Sequence, residues 1–155
     1  MVLCVFAFAL GFTVGLRSFM APAALSIAAR WGELKLTNSW LGFLGYAWTP
    51  WLFTGAALGE LINDKLPNTP SRKTPVQFFF RVVSGALSGA AVGASSGSPF
   101  SGMVAGALGA IAGTFGGAAA RAKLARALGG RDLWAGLCED VVTVLSVIVL
   151  LLCLA

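Results

Sequence analysis

Hydrophobic and polar positions along this chain alternate on the scale of whole helices, with long apolar runs broken by short clusters of charge and proline. A membrane-spanning helix needs about 20 mostly apolar residues. Five segments qualify: about 2–29, 40–62, 76–97, 102–128 and 133 to the C-terminus. Arg17 and Pro22 interrupt the first, Pro50 falls in the middle of the second, and the third and fourth are predicted to form a hairpin through Ser98-Pro99-Phe100-Ser101. The run from Val141 to Leu154 is the plainest span. The pattern predicts an all-α, polytopic membrane helix bundle of about five transmembrane helices, one domain over residues 1–155.

Glycine adds a second periodicity. Arg81, Gly85, Gly89, Gly93 and Gly97 follow one another at four-residue spacing, and Gly102, Gly106, Gly109, Gly113 and Gly117 lead to Arg121. Small residues spaced this way let two backbones approach closely, which is how helices associate where lipid removes the hydrophobic drive. A tight Gly-rich central hairpin is expected. At 1.5 Å per residue, Arg81 and Arg121 then lie about 24 and 28 Å from the turn, at similar depth. Gly11 and Gly15 before Arg17, Gly113 and Gly117 before Arg121, and paired acids in the second and fifth segments also suggest an inverted repeat.

Composition sharpens the membrane reading: 57% of residues are hydrophobic, 11% are charged, and there are 20 glycines and no histidine. Cys4, Cys138 and Cys153 lie in apolar segments and read as small buried side chains, not as a disulfide framework. Without histidine, and with cysteine so scattered, no metal and no cofactor is expected. No signal peptide is expected, because no positive region precedes the first apolar run. The net charge of +5 would point to nucleic acid in a soluble protein. Here the basic residues gather at Lys65, Arg72 and Lys73 and at Lys123, Arg126 and Arg131, so they report orientation and no nucleic-acid partner is expected. They predict an inner (plasma) membrane protein with a cytoplasmic N-terminus and an outward C-terminus.

Charge inside a bilayer is costly and usually serves transport, binding or proton relay. Arg17, Ser18, Arg81 and Arg121 are therefore candidate substrate-binding residues, and a half-helix end beside Arg17 is a plausible seat for an anionic headgroup. Glu60, Asp64, Lys65, Glu139 and Asp140 are candidate ion-pair or proton-coupling residues. The competing structural reading is that these groups only pair with one another and pin the helix ends. No catalytic residue is assigned.

Four pieces in order, Gly15-Leu16-Arg17-Ser18-Phe19, Glu60-Leu-Ile-Asn-Asp64-Lys65-Leu66-Pro67, Arg81 before Ser84-Gly85-Ala86-Leu87, and Glu139-Asp140, resemble a domain-of-unknown-function family of small bacterial membrane proteins. The resemblance implies a polytopic inner-membrane protein with a Gly-rich core and carries no established activity. The leading expectation is a small transporter or lipid-handling protein, a homodimer in contact with membrane lipids, that binds an anionic group through its intramembrane arginines. One alternative is a membrane enzyme acting on polyprenyl phosphates, in which Glu60 and Asp64 share a helix face ahead of Pro70-Ser71-Arg72. The other is a structural or assembly subunit.

Overall fold

The computed structural model describes residues 2–34, 36, 39–64 and 74–153. Six helices account for most of them: α1 (Val2–Leu16), α2 (Met20–Trp31), α3 (Thr49–Asn63), α4 (Pro75–Ala94), α5 (Pro99–Ala127) and α6 (Asp132–Leu152), with a 3₁₀ turn over Trp40–Gly45 before α3. No strand occurs among the described residues.

Proline marks where helices begin. Pro50, Pro75 and Pro99 each occupy the first turn of α3, α4 and α5, where the missing N–H is one that no helix would use. Pro22 is likewise the third residue of α2. The segments expected over 2–29 and 40–62 are therefore not single spans: the first breaks into α1 and α2, and only the part of the second from Thr49 onward is α-helical. The hairpin also shifts. Gly97 adopts a left-handed backbone (φ 74°), and the Ser98 N–H donates back to the Gly93 carbonyl at 2.9 Å. This closes α4 at Ala94, makes 95–98 the turn, and leaves Pro99 as the first residue of α5.

The α1, α4 and α5 helices pack most extensively, and glycine is the reason. A Cβ on Gly89 would overlap the Gly102 carbonyl, and one on Gly106 would overlap that of Gly85, so α4 and α5 meet backbone to backbone. The α5 glycines do not form one stripe. Gly102 and Gly106 face α4, whereas Gly109 and Gly113 face the Phe8 and Phe12 carbonyls of α1. The change from four-residue to three-residue spacing between Gly106 and Gly109 rotates the contact from one neighbour to the other. Gly11 faces Gly106, and Gly15 faces Ala110, Gly113 and Thr114.

Those contacts advance together along both helices, so α1 runs parallel to α5. The expected inverted repeat required these two to have opposite orientations, and the structure overturns it. The start of α1 lies at the 95–98 turn, where Leu3 and Cys4 line a small cavity with Gly93, Ser96, Ser98 and Gly102. Near the end of α6, Val149 and Leu150 share a groove with Phe8 and Ala9 of α1. Both ends of the described chain thus lie at the turn end of the bundle, contrary to the expectation of termini on opposite sides. The chain turns back at the break after Leu16, and this extra reversal changes the end of the bundle at which it finishes.

The direction of α3 follows from its acids. Glu60 meets Arg81, whereas Asp64, one turn later, meets Arg121, which lies farther from the 95–98 turn. Therefore α3 runs away from the turn end, and α2 runs towards it. Leu25 and Ala28 of α2 accordingly join Ala90, Ala91 and Val92 of α4 in the apolar core.

Among the described residues α4, α5 and α6 are long and apolar enough to cross a membrane, and α1 is a shorter apolar helix. With 12 and 15 residues, α2 and α3 reach only about 18 and 22 Å. The outer surface fits a lipid environment: Val141, Leu145, Ile148, Val149 and Leu152 of α6 are exposed. All five tryptophans are exposed, Trp31, Trp40, Trp48 and Trp51 around the α2–α3 connection and Trp134 near the start of α6. Such placement suits headgroup-level anchors.

A buried ion-pair network beside a cleft

The break between α1 and α2 leaves carbonyls at the end of one helix and N–H groups at the start of the next without helical partners. One ion pair satisfies both. The Arg81 Nη1 donates to the Gly15 carbonyl at 2.9 Å and to that of Val14 at 3.4 Å. The Glu60 carboxylate accepts from the Ser18 N–H at 2.9 Å and the Phe19 N–H at 3.2 Å. Arg81 Nη2 then donates to Glu60 Oε1 at 3.1 Å. Each charge also lies at the favourable pole, cation at a helix C-terminus and anion at a helix N-terminus.

Arg17 occupies the break itself and is only 1% exposed. Its Nη2 donates to Asp64 Oδ2 at 2.8 Å and pairs with Asp140 Oδ1 as well. Its Nε is buried and has no acceptor among the described residues. Asp64 caps α3 just beyond the last turn and also accepts from Arg121 Nη1 at 2.7 Å. Burial pushes the Asp64 carboxyl up, but hydrogen bonds from Arg121 and Arg17 outweigh it and hold the group below its ordinary value. Arg121 further forms a two-pronged contact with Asp132, Nε to Oδ1 at 3.0 Å and Nη2 to Oδ2 at 2.7 Å, and approaches Glu139 Oε2 at 3.5 Å. Among the described residues, five carboxylates thus surround three guanidiniums, drawn from the α1–α2 break, α3, α4, α5 and α6.

Beside this network opens a cleft of about 440 Å³ whose wall includes Arg17, Ser18, Glu60, Asp64 and Arg81 with Phe19 and Phe80. Ligand sites combine apolar walls with a few convergent polar groups, and this cleft has that composition.

The structure joins Arg17, Arg121, Asp64, Glu139 and Asp140 through shared ion pairs, and sets the Arg81–Glu60 pair beside them on the same cleft wall. Ser18 contributes through its backbone N–H. Lys65, expected beside them, lies outside the described residues, as do Ser71 and Arg72. Asp132 escaped the sequence reading because it follows Gly-Gly-Arg and reads as an ordinary start of a helix. Its signal was present: an acid at a helix N-terminus, eleven residues after an arginine across a Gly-Gly turn. Cys4, Cys138 and Cys153 are free.

A Gly-packed bundle with apolar outer faces and a buried ion-pair network inside it defines a membrane-embedded helical protein. The chain belongs to the family described as a domain of unknown function (DUF4126), whose model matches residues 4–154. No curated protein and no solved structure matches it.

Proposed function

We propose that this protein is a small membrane transporter whose substrate site is the cleft at the α1–α2 break. The observation that carries the reading is a helix interrupted around a buried arginine, with the cleft on the open side of the interruption. Discontinuous helices are the means by which transporters present helix ends to a substrate inside the membrane. Arg17, Ser18 and Arg81 form the binding side, with Arg121 behind them through its ion pair to Asp64, and Glu60, Asp64, Glu139 and Asp140 form the coupling side. Ion pairs that bridge five chain segments supply the connection through which occupancy of the cleft is felt by α3 and α6.

Basic residues near the charged end, Lys123, Arg126 and Arg131 among them, favour a cytoplasmic placement of that end. The 95–98 turn and both described chain ends then face outward. The inner membrane, contact with membrane lipids and a homodimer belong to the same proposal. The enzyme reading is weaker, because both Glu60 oxygens and Asp64 Oδ2 are already engaged by arginine and backbone donors.

Alternating access can be tested without knowing the substrate. Gly59 lines the cleft and has open space where a side chain would project. In a background with Cys4, Cys138 and Cys153 replaced by serine, Gly59→Cys in proteoliposomes should react with membrane-impermeant thiol reagents added from either side. Labelling from one side alone, at all times and temperatures, would exclude a transporter and leave a receptor or structural role.

A further inference from the structure

The cleft and the break also bear on what the site takes and how it is coupled. Resting on the transporter reading, we propose that the substrate is a small oxyanion, a carboxylate or phosphate group, that replaces the Glu60 carboxylate in its seat, and that the displaced Glu60 takes up one proton.

Glu60 occupies a place built for an oxyanion. Two successive N–H groups at the start of α2 and one guanidinium arm of Arg81 converge on its oxygens, and backbone N–H groups at a helix start favour negative charge. Beside it Arg17, almost wholly buried, belongs to the same cleft wall, and no described residue accepts its buried Nε–H. Glu60 itself is on the cleft wall, so a ligand entering the cleft meets the carboxylate and its donors together. The rest of the wall, with Phe19, Ala56, Gly59 and Phe80 beside Asn63 and Gln77, gives room for a short organic body behind the anionic group.

Charge decides the consequence of displacement. Glu60 meets Arg81 from α4 and the Ser18 and Phe19 N–H groups from the break, while Arg17, paired with Asp64 and with Asp140 of α6, and Asp64 itself line the same cleft. Among the described residues the site already gathers five carboxylates and three guanidiniums. A second anion at this place, with Glu60 still charged and stripped of its donors, is an unpaired buried charge, which proteins avoid by neutralising the group. A proton from bulk water adds to the Glu60 carboxylate as the oxyanion enters, and leaves when the anion leaves, so no other reactant is needed. Anion and proton then move together.

Binding to the full-length protein in detergent tests this apart from transport. Titration calorimetry with succinate and with inorganic phosphate, each in two buffers of different ionisation heat, should show about one proton taken up per anion. The dissociation constant should rise about tenfold per pH unit above neutrality, as linkage of one proton requires. Phosphatidate presented in nanodiscs distinguishes a lipid headgroup from a free anion as the source. Glu60→Gln should bind the same anion with no proton uptake and no such pH dependence, and Arg81→Gln should lose binding. Should Glu60→Gln fail to fold, Glu60→Asp, with its carboxylate drawn back, should bind more tightly and still take up the proton. Binding by the unmodified protein without proton uptake, or no binding by the folded protein of any of the three probes, overturns the proposal. Two-sided labelling of Gly59→Cys with no anion binding would leave the transporter standing and remove the oxyanion; anion binding with one-sided labelling would do the reverse.

Discussion

The Gly85–Gly106 contact between α4 and α5 and the Glu60–Arg81 contact between α3 and α4 lie only a turn or two apart along α4, yet they hold helices together in opposite ways. At the first, backbone touches backbone and neither side chain exists. Its stabilisation is dispersion between close surfaces, which has no direction but tolerates no added volume. At the second, four segments are joined by charged hydrogen bonds whose partners are exchangeable in kind. A glycine seam has one arrangement. An ion-pair network can exchange partners without moving a backbone, which is the property the proposed binding and coupling site needs. The bundle is thus packed backbone to backbone along α1, α4 and α5 and held by ion pairs where α3 and α6 join them.

The sharpest way to break this contrast is at the seam. Gly106→Leu puts a side chain against the Gly85 carbonyl and the Gly89 backbone; overpacking ordinarily costs about 1–3 kcal/mol, and here only whole-helix displacement relieves it. No monodisperse folded protein should be recovered by size-exclusion chromatography, and a well-behaved variant would show that the two helices do not meet backbone to backbone.

Arg17→Gln is expected to come next. It leaves Asp64 and Asp140 without one of their cations, and breaking a buried pair by removing one partner costs about 3–5 kcal/mol. The thermal midpoint in detergent should fall steeply, and adding Asp140→Asn should recover part of the loss. Absence of that recovery would show that Asp140 is not coupled to Arg17.

Asp132 sharpens the contrast from the exposed side. It is 65% exposed, so solvent screens its pairing with Arg121, and Asp132→Asn should cost no more than about 1 kcal/mol. A larger loss of thermal stability would place Asp132 inside the network and not at its rim. The smallest effect belongs to a glycine outside any seam. Gly55 on the exposed face of α3 has nothing near its missing side chain, so Gly55→Ala should raise stability by about 0.5–1 kcal/mol through helix propensity. Loss of stability there would reveal a packing partner, such as the proposed second copy.

Much of the bundle was legible in the residues. Apolar runs near 20 residues, glycines four apart and acids and arginines among them identified a Gly-packed helical membrane protein, and seven of the charged residues they marked converge. The prolines were visible too, but whether Pro22 and Pro50 bend a helix or begin one depends on neighbouring donors and acceptors. Arg81 and Glu60, from distant segments, supply those at the α1–α2 break.

By itself the sequence determined composition, helical periodicity and the supply of charge, because each is a property of one residue or of neighbours along one helix. Tertiary structure alone decided that α1 and α2 are separate, that α5 uses two glycine faces, that both described ends lie together, and that Asp132 joins the network. Each of these depends on which segment packs against which. Helices too short to span a bilayer alone take their direction from non-local partners, and a charge in an apolar setting takes its meaning from the opposite charge that folding brings to it.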